Sequence, residues 1–141
     1  MDDFKIRIIN DIAIVIVDTI VATRRNAKPL WDELDSKSIL DWDKVIIDIS
    51  TCTFIDSTFL GVIVKIHRRI NKSNGQLKLV FPEKNAMKYL HTIGIITMID
   101  CFNTIHQAIN SFDTDIPLRK ISFEKELPED YPSEPLKFKL G

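Results

Sequence analysis

Two short apolar runs, FKIRII over 4–9 and IAIVIV over 12–17, flank Asn10-Asp11, a pair suited to a tight turn between paired strands. The pattern predicts a leading hairpin. IAIVIV is apolar almost throughout, as befits a strand covered on both faces, so it belongs inside a sheet. In DTIVATRRNAKPLWDELDSKSIL, Asn26 can cap a helix and Pro29 can sit in its first turn. The spacing predicts a helix from about Ala27 to Asp35, with Leu30, Trp31 and Leu34 on its apolar side. KVIIDI, 44–49, is short and β-branched and reads as another buried strand. From Ser57 to about Lys72 the period becomes helical: Leu60, Ile63, Val64 and Ile70 share one face, and Lys65, Arg68, Arg69 and Lys72 fall at i, i+3, i+4 and i+7 on another. Asn74-Gly75 ends that helix. The remaining pattern predicts a strand QLKLVF (76–81), a short helix NAMKYLHTIG (85–94), a strand ITMIDC (96–101) and a helix NTIHQAINSF (103–112).

Strands alternating with helices after an initial hairpin imply an α/β fold, in which crossover connections make the later strands parallel and the sheet mixed. At 141 residues the chain suits one domain. Beyond Ile116 the composition changes, for four of the six prolines (Pro117, Pro128, Pro132 and Pro135) lie there. The expected organisation is a domain over 1–116 and a Pro-rich C-terminal extension over 117–141. At its end PLKFKLG alternates Leu136, Phe138 and Leu140 with lysines, a pattern able to pair with an open sheet edge or to remain mobile.

Composition narrows the function classes. Nineteen Lys and Arg against twenty Asp and Glu leave a formal charge of −1, which gives no global attraction to nucleic acid or to an anionic bilayer. The N-terminus is acidic at once, and no window approaches the roughly 20 apolar residues that cross a membrane. The expectation is a cytoplasmic protein that binds neither membrane nor nucleic acid. Cys52 and Cys101 lie too far apart in sequence for a metal knuckle or a CxxC pair and read as small core residues.

The stretch TFIDSTFLGVIVKIHRRI, 53–70, places Asp56, Ser57 and Thr58 together where a strand gives way to a helix. Backbone N–H groups there are unsatisfied, and any one of the three would serve as an N-cap. A catalytic corner and a site of modification are the other readings. Nucleophilic catalysis needs a base beside Ser57, whereas His67 lies ten residues along the same helix, roughly 15 Å away at 1.5 Å per residue. His91 and His106 have no recognisable spacing to it, and the flanking residues are not GxSxG. Nucleotide-binding loops, HExxH and clustered metal ligands are absent from the sequence. No catalytic residue, metal or cofactor is therefore expected.

VIIDISTCTFIDSTFLGVIVKIHRRINKSNGQLKLV resembles the central segment of STAS domains, the family of bacterial anti-sigma factor antagonists. In that family a strand ending in Asp-Leu leads to Phe-(Met or Ile)-Asp-Ser-(Ser or Thr)-Gly-Leu-Gly and then a helix. Asp56, Ser57, Thr58, Leu60 and Gly61 carry the match, and the order of elements agrees over about 4–112. The resemblance implies a single STAS-like α/β domain that is not an enzyme. It implies a partner that is an anti-sigma factor or related serine kinase, which phosphorylates the residue at Ser57, and a PP2C-type phosphatase that removes the group. Thr58 is the second choice of acceptor, and Asp56 would fix the loop. A runner-up reading is a STAS scaffold or ligand sensor in which Ser57 is only a cap.

The chain departs from the family pattern twice. Phe59 stands where the signature has Gly; it could tuck into the core or protrude as an interface anchor, and partial exposure is the expectation. The acid expected near Val21 or Thr23 is missing; Arg24 and Arg25 follow instead, with Asp18 the only acid nearby. If this loop adjoins the Asp56-Ser57 corner, the two guanidinium groups could bind a phosphate on Ser57 or an acidic partner, or simply be solvated.

Overall fold

The computed structural model describes residues 3–81, 94 and 98–115. The helix expected over 85–94, apart from Gly94, and the C-terminal extension lie outside the described residues. Strand β1 (Phe4–Ile9) and β2 (Ile12–Val17) form the antiparallel hairpin, in register from Phe4↔Val17 to Ile9↔Ile12. Asn10 and Asp11 turn it with φ of 49° and 60°, the left-handed conformation that short polar residues tolerate. β4 (Lys44–Asp48) pairs parallel with β2, β6 (Gln76–Val80) with β4, and β7 (Asp100–Phe102) with β6. The sheet is mixed, in the order β1-β2-β4-β6-β7, as the alternation of elements predicts. β7 begins four residues later than the run ITMIDC suggests.

Helices α1 (Arg24–Ser36) and α2 (Ser57–Lys72) cover one face of this sheet, and α3 (Ile105–Asp115) lies on the other. Period-two alternation sorts the strands between two cores. Ala13, Val15, Val17, Val45, Ile47, Leu77 and Leu79 meet Leu30, Leu34, Leu60, Ile63 and Ile70. Ile12, Ile14, Ile46 and Val80 meet Ala108 and Phe112. The buried Lys78 shares this second face: its ammonium lies 2.9 Å from Ser111 Oγ and 4.5 Å from the centre of the Phe112 ring. Cys52 is buried and both cysteines are free. Among the described residues no helix is long and apolar enough to cross a membrane.

Helix α1 starts three residues before the expected Ala27. Thr23 is its N-cap, accepting from Arg25 N at 3.3 Å, while Asn26 Oδ1 accepts from Thr23 N at 3.0 Å. Asn26 thus closes a capping box from inside the helix and is not the cap itself. Pro29 consequently lies in the second turn, where its missing N–H removes the intrahelical bond to the Arg25 carbonyl. At the end of α2, Gly75 is required: a Cβ there would lie 2.5 Å from the Trp42 carbonyl oxygen.

Two further strands escape the hydrophobic pattern. β3 (Val21–Ala22) and β5 (Phe54–Ile55) form a separate parallel pair, Val21↔Phe54 and Ala22↔Ile55. Each is two residues long, too short to show a period. Their effect is large: β3 follows β2 and runs into α1, β5 follows β4 and runs into α2, so their pairing sets the two helix starts side by side.

Candidate functional site

The corner is assembled from these two junctions. Thr53 N donates to the Ile20 carbonyl at 2.7 Å and Asp56 N to the Ala22 carbonyl at 3.0 Å, fastening the second junction onto the first. Asp56 is the N-cap of α2, with extended backbone (φ −89°, ψ 170°). Its Oδ1 accepts from Phe59 N at 2.8 Å, and its Oδ2 accepts from Arg24 N, the first residue of α1, at 2.9 Å. One carboxylate therefore satisfies orphan donors of two helices and sits where both macrodipoles favour negative charge. Asp56 is more than a local cap.

With Asp56 in that role, Ser57 and Thr58 are left over. Both are exposed, and neither hydroxyl makes a hydrogen bond among the described residues. Gly61, four residues after Ser57, lies on the same exposed side of α2. A Cβ at Gly61 would meet nothing within 4 Å, so neither packing nor backbone conformation demands glycine there. The structure brings Asp56, Ser57, Thr58, Gly61, Arg24 and Arg25 into one region.

Phe59 does not belong to its surface, against the expectation of partial exposure. It is 0% exposed and packs in the core under α1 and α2. The reason is helical phase, since Phe59, Ile63, Ile66 and Ile70 follow one another at i, i+4, i+7 and i+11 along the buried stripe. The exposed apolar side chains of this corner come from the short strands instead. Ile20, Val21 and Phe54 are 60%, 48% and 52% exposed, and Val21 and Phe54 are register partners. Their clustering was hidden in the sequence because the pairing of β3 with β5 creates it; the signal available was an Ile-Val pair inside an otherwise polar loop.

The two arginines part company. Arg24 N is held by Asp56, whereas Arg25 lines a shallow depression with Asp3, Thr19, Val21, Thr23 and Asn26, and Asp3 there accepts from Asn26 Nδ2 at 2.9 Å. The basic stripe of α2 is also divided. Lys65 lies 4.5 Å over the Trp31 ring, and Arg69 pairs with Asp41 at 2.7 Å, tying α2 to α1 and to the turn at 39–41. Arg68 and Lys72 remain exposed.

Among the described residues, the histidines and cysteines do not converge on Ser57. Burial, with Arg68 adding to it and Asp100 opposing it, lowers the proton affinity of His67, which lies ten residues down α2. His106 is on α3, across the sheet. Burial, reinforced by Asp48, pushes the Cys52 thiol up to about 12. The corner offers a frame fixed by Asp56 and two exposed hydroxyls, and among the described residues no histidine stands beside Ser57.

Comparison with known proteins gives a consistent assignment. The sequence model described as the STAS domain matches residues 5–108. A protein of Thermotoga maritima described as a candidate anti-sigma factor antagonist is 28% identical over 109 residues, spanning 75% of this chain and 94% of its own. The crystal structure of a Thermotoga maritima protein so described matches with a TM-score of 0.65 at 27% identity, over 77% of this chain and 92% of that one. An anti-sigma factor antagonist from Mycobacterium paratuberculosis (TM-score 0.68, 16% identity, 77% and 91% covered) shares the fold. So does the Bacillus cell fate determinant SpoIIAA, solved in its phosphorylated form (TM-score 0.60, 14% identity, 77% and 98% covered).

Proposed function

We propose that this chain, which belongs to the STAS domain family, is a cytoplasmic anti-sigma factor antagonist switched by reversible phosphorylation of Ser57. The observation that carries this reading is the Ser57 hydroxyl, exposed and without a hydrogen bond among the described residues, at the start of α2 on a corner whose geometry Asp56 already fixes. Unmodified, the corner docks an anti-sigma factor that is also a serine kinase, or a related kinase, and so releases what that partner held. Ile20, Val21 and Phe54 supply the apolar contact, and Gly61 keeps the helix surface beside Ser57 low enough for close approach.

In the kinase step Ser57 Oγ attacks the γ-phosphorus of ATP, the bond to the bridging oxygen breaks, and ADP leaves. The hydroxyl proton passes to a base of the kinase. The product adds about 1.5 to 2 negative charges beside an apolar patch. Burying that charge against a partner costs several kcal/mol, and ~1.4 kcal/mol is already tenfold in affinity, so the complex opens. A PP2C-type phosphatase resets the switch. The helix N-terminus accommodates a phosphate, so the fold need not change.

The test is intact mass after incubation with ATP and the serine kinase encoded nearest to this protein's gene. One phosphate on the native chain and none on Ser57→Ala is expected. Uptake that survives Ser57→Ala but not the further change Thr58→Ala would move the acceptor to Thr58. No uptake by the native chain would favour a scaffold in which Ser57 is unmodified.

A further inference from the structure

We infer that Arg24, reaching across from the start of α1, binds the phosphate carried by Ser57, so that the modified corner is closed by an internal ion pair. The inference rests on Ser57 being the modified residue and concerns how that modification acts. The first observation is register. Ala22 and Ile55 are parallel partners, and Arg24 and Ser57 each stand two residues beyond them, each as the first residue of its helix. Parallel partners lie about 4.8 Å apart. The 2.9 Å bond from Arg24 N to Asp56 Oδ2 keeps the two helix starts close.

Reach is then sufficient. At ordinary bond lengths an arginine places its guanidinium about 6 Å from its Cα, and a phosphoserine places its phosphorus about 4 Å from its own. Together these spans exceed the separation of the two positions.

The second observation is availability. Neighbouring acids are already engaged: Asp56 with Phe59 N and Arg24 N, Asp3 with the Asn26 side chain, and Asp18 with Lys5. The Arg24 guanidinium is exposed and has no acidic partner among the described residues. Guanidinium is permanently charged, and its forked donors match two phosphate oxygens. Arg25 stands one residue further along α1 and borders the depression with Asp3, whereas the register places position 24 opposite Ser57. The consequence is a switch with two parts. Phosphorylation adds charge and bulk, and it also withdraws Arg24 from whatever acid on a partner it would otherwise meet.

The experiment places phosphoserine at position 57 during translation, which removes any dependence on a kinase, and follows the phosphate by ³¹P NMR titration. Arg24, Arg25, Asp56, Asp3 and the Lys5–Asp18 pair are the charged groups of the two junctions around it. A unit charge about 4 Å away in water-like surroundings moves a pKa by roughly 0.7 of a unit. Arg24→Gln should therefore raise the second phosphate pKa by about half a unit or more, and Arg25→Gln by less than ~0.2. Amide spectra confirm that each variant is folded. Equal values for native and Arg24→Gln chains, or equal shifts in the two variants, would overturn the inference. The proposed switch itself fails on a different result, the absence of kinase-dependent mass gain at Ser57.

Discussion

Asp56→Ala tests how the corner is built. The change removes the acceptor for Phe59 N, an N-cap loss of about 1 kcal/mol, and the acceptor for Arg24 N, whose bond to an ionised group at a partly wet site contributes about 0.5–1 kcal/mol. The expected total is about 2 kcal/mol. Asp56→Asn separates the two parts. Asparagine caps a helix about as well as aspartate, but its amide has one oxygen where the carboxylate has two. It can serve Phe59 N or Arg24 N, not both, so it should lose only about 1 kcal/mol. Urea unfolding followed by circular dichroism reads the difference as a lower midpoint at unchanged slope. Amide exchange adds a residue-level check, with Phe59 and Arg24 both losing protection in Asp56→Ala and one of them retaining it in Asp56→Asn. If Asp56→Ala stays within ~0.5 kcal/mol of the native chain, or Asp56→Asn loses as much as Asp56→Ala, the double-cap account is wrong.

Four further outcomes follow from the same packing and hydrogen bonds. Phe59→Ala empties a fully buried site and should lower unfolding free energy by about 3–5 kcal/mol, whereas Phe54→Ala at the surface should change it by less than ~0.5 kcal/mol; paired urea curves compare them. Gly61→Ala should raise stability by up to about 1 kcal/mol, since the Cβ meets open space, yet weaken binding of the docking partner measured by calorimetry. His67 is harder to protonate folded than unfolded, so the unfolded chain binds the extra proton as pH falls below 6.5. Stability should be full above that pH and decline below it until the folded imidazole also titrates, and His67→Gln should flatten that part of a urea-midpoint profile. Cys52, with its thiol pushed up to about 12, should resist a disulfide reagent at pH 8 in a Cys101→Ser background and react once the chain is unfolded in urea.

The elements with several residues per period were legible in the sequence. The hairpin, β4, α2 and β6 match their runs closely because burial on one or both faces writes itself into apolar spacing. The start of α1 was misplaced because two residues of one capping box, Thr23 and Asn26, are both good caps, and only tertiary placement chooses between them. The candidate site was half legible. Asp56, Ser57 and Thr58 announce a helix start, but that Asp56 also accepts from Arg24 N, at the start of α1, depends on a contact 32 residues away in sequence. Phe59 was misjudged by comparison with a glycine in a signature, when its own helical phase with Ile63, Ile66 and Ile70 assigned it to the core. Ile20, Val21 and Phe54 form a patch only through strands too short to have a pattern.

In the proposed switch one hydroxyl governs a docking surface. Its most direct test is the dissociation constant of the cognate kinase or anti-sigma partner for two forms of the chain that differ only in whether residue 57 is serine or phosphoserine. The structure-based expectation is a loss of at least tenfold on phosphorylation, with folding stability little changed, in line with ~1.4 kcal/mol per decade. Equal constants for the two forms would contradict it.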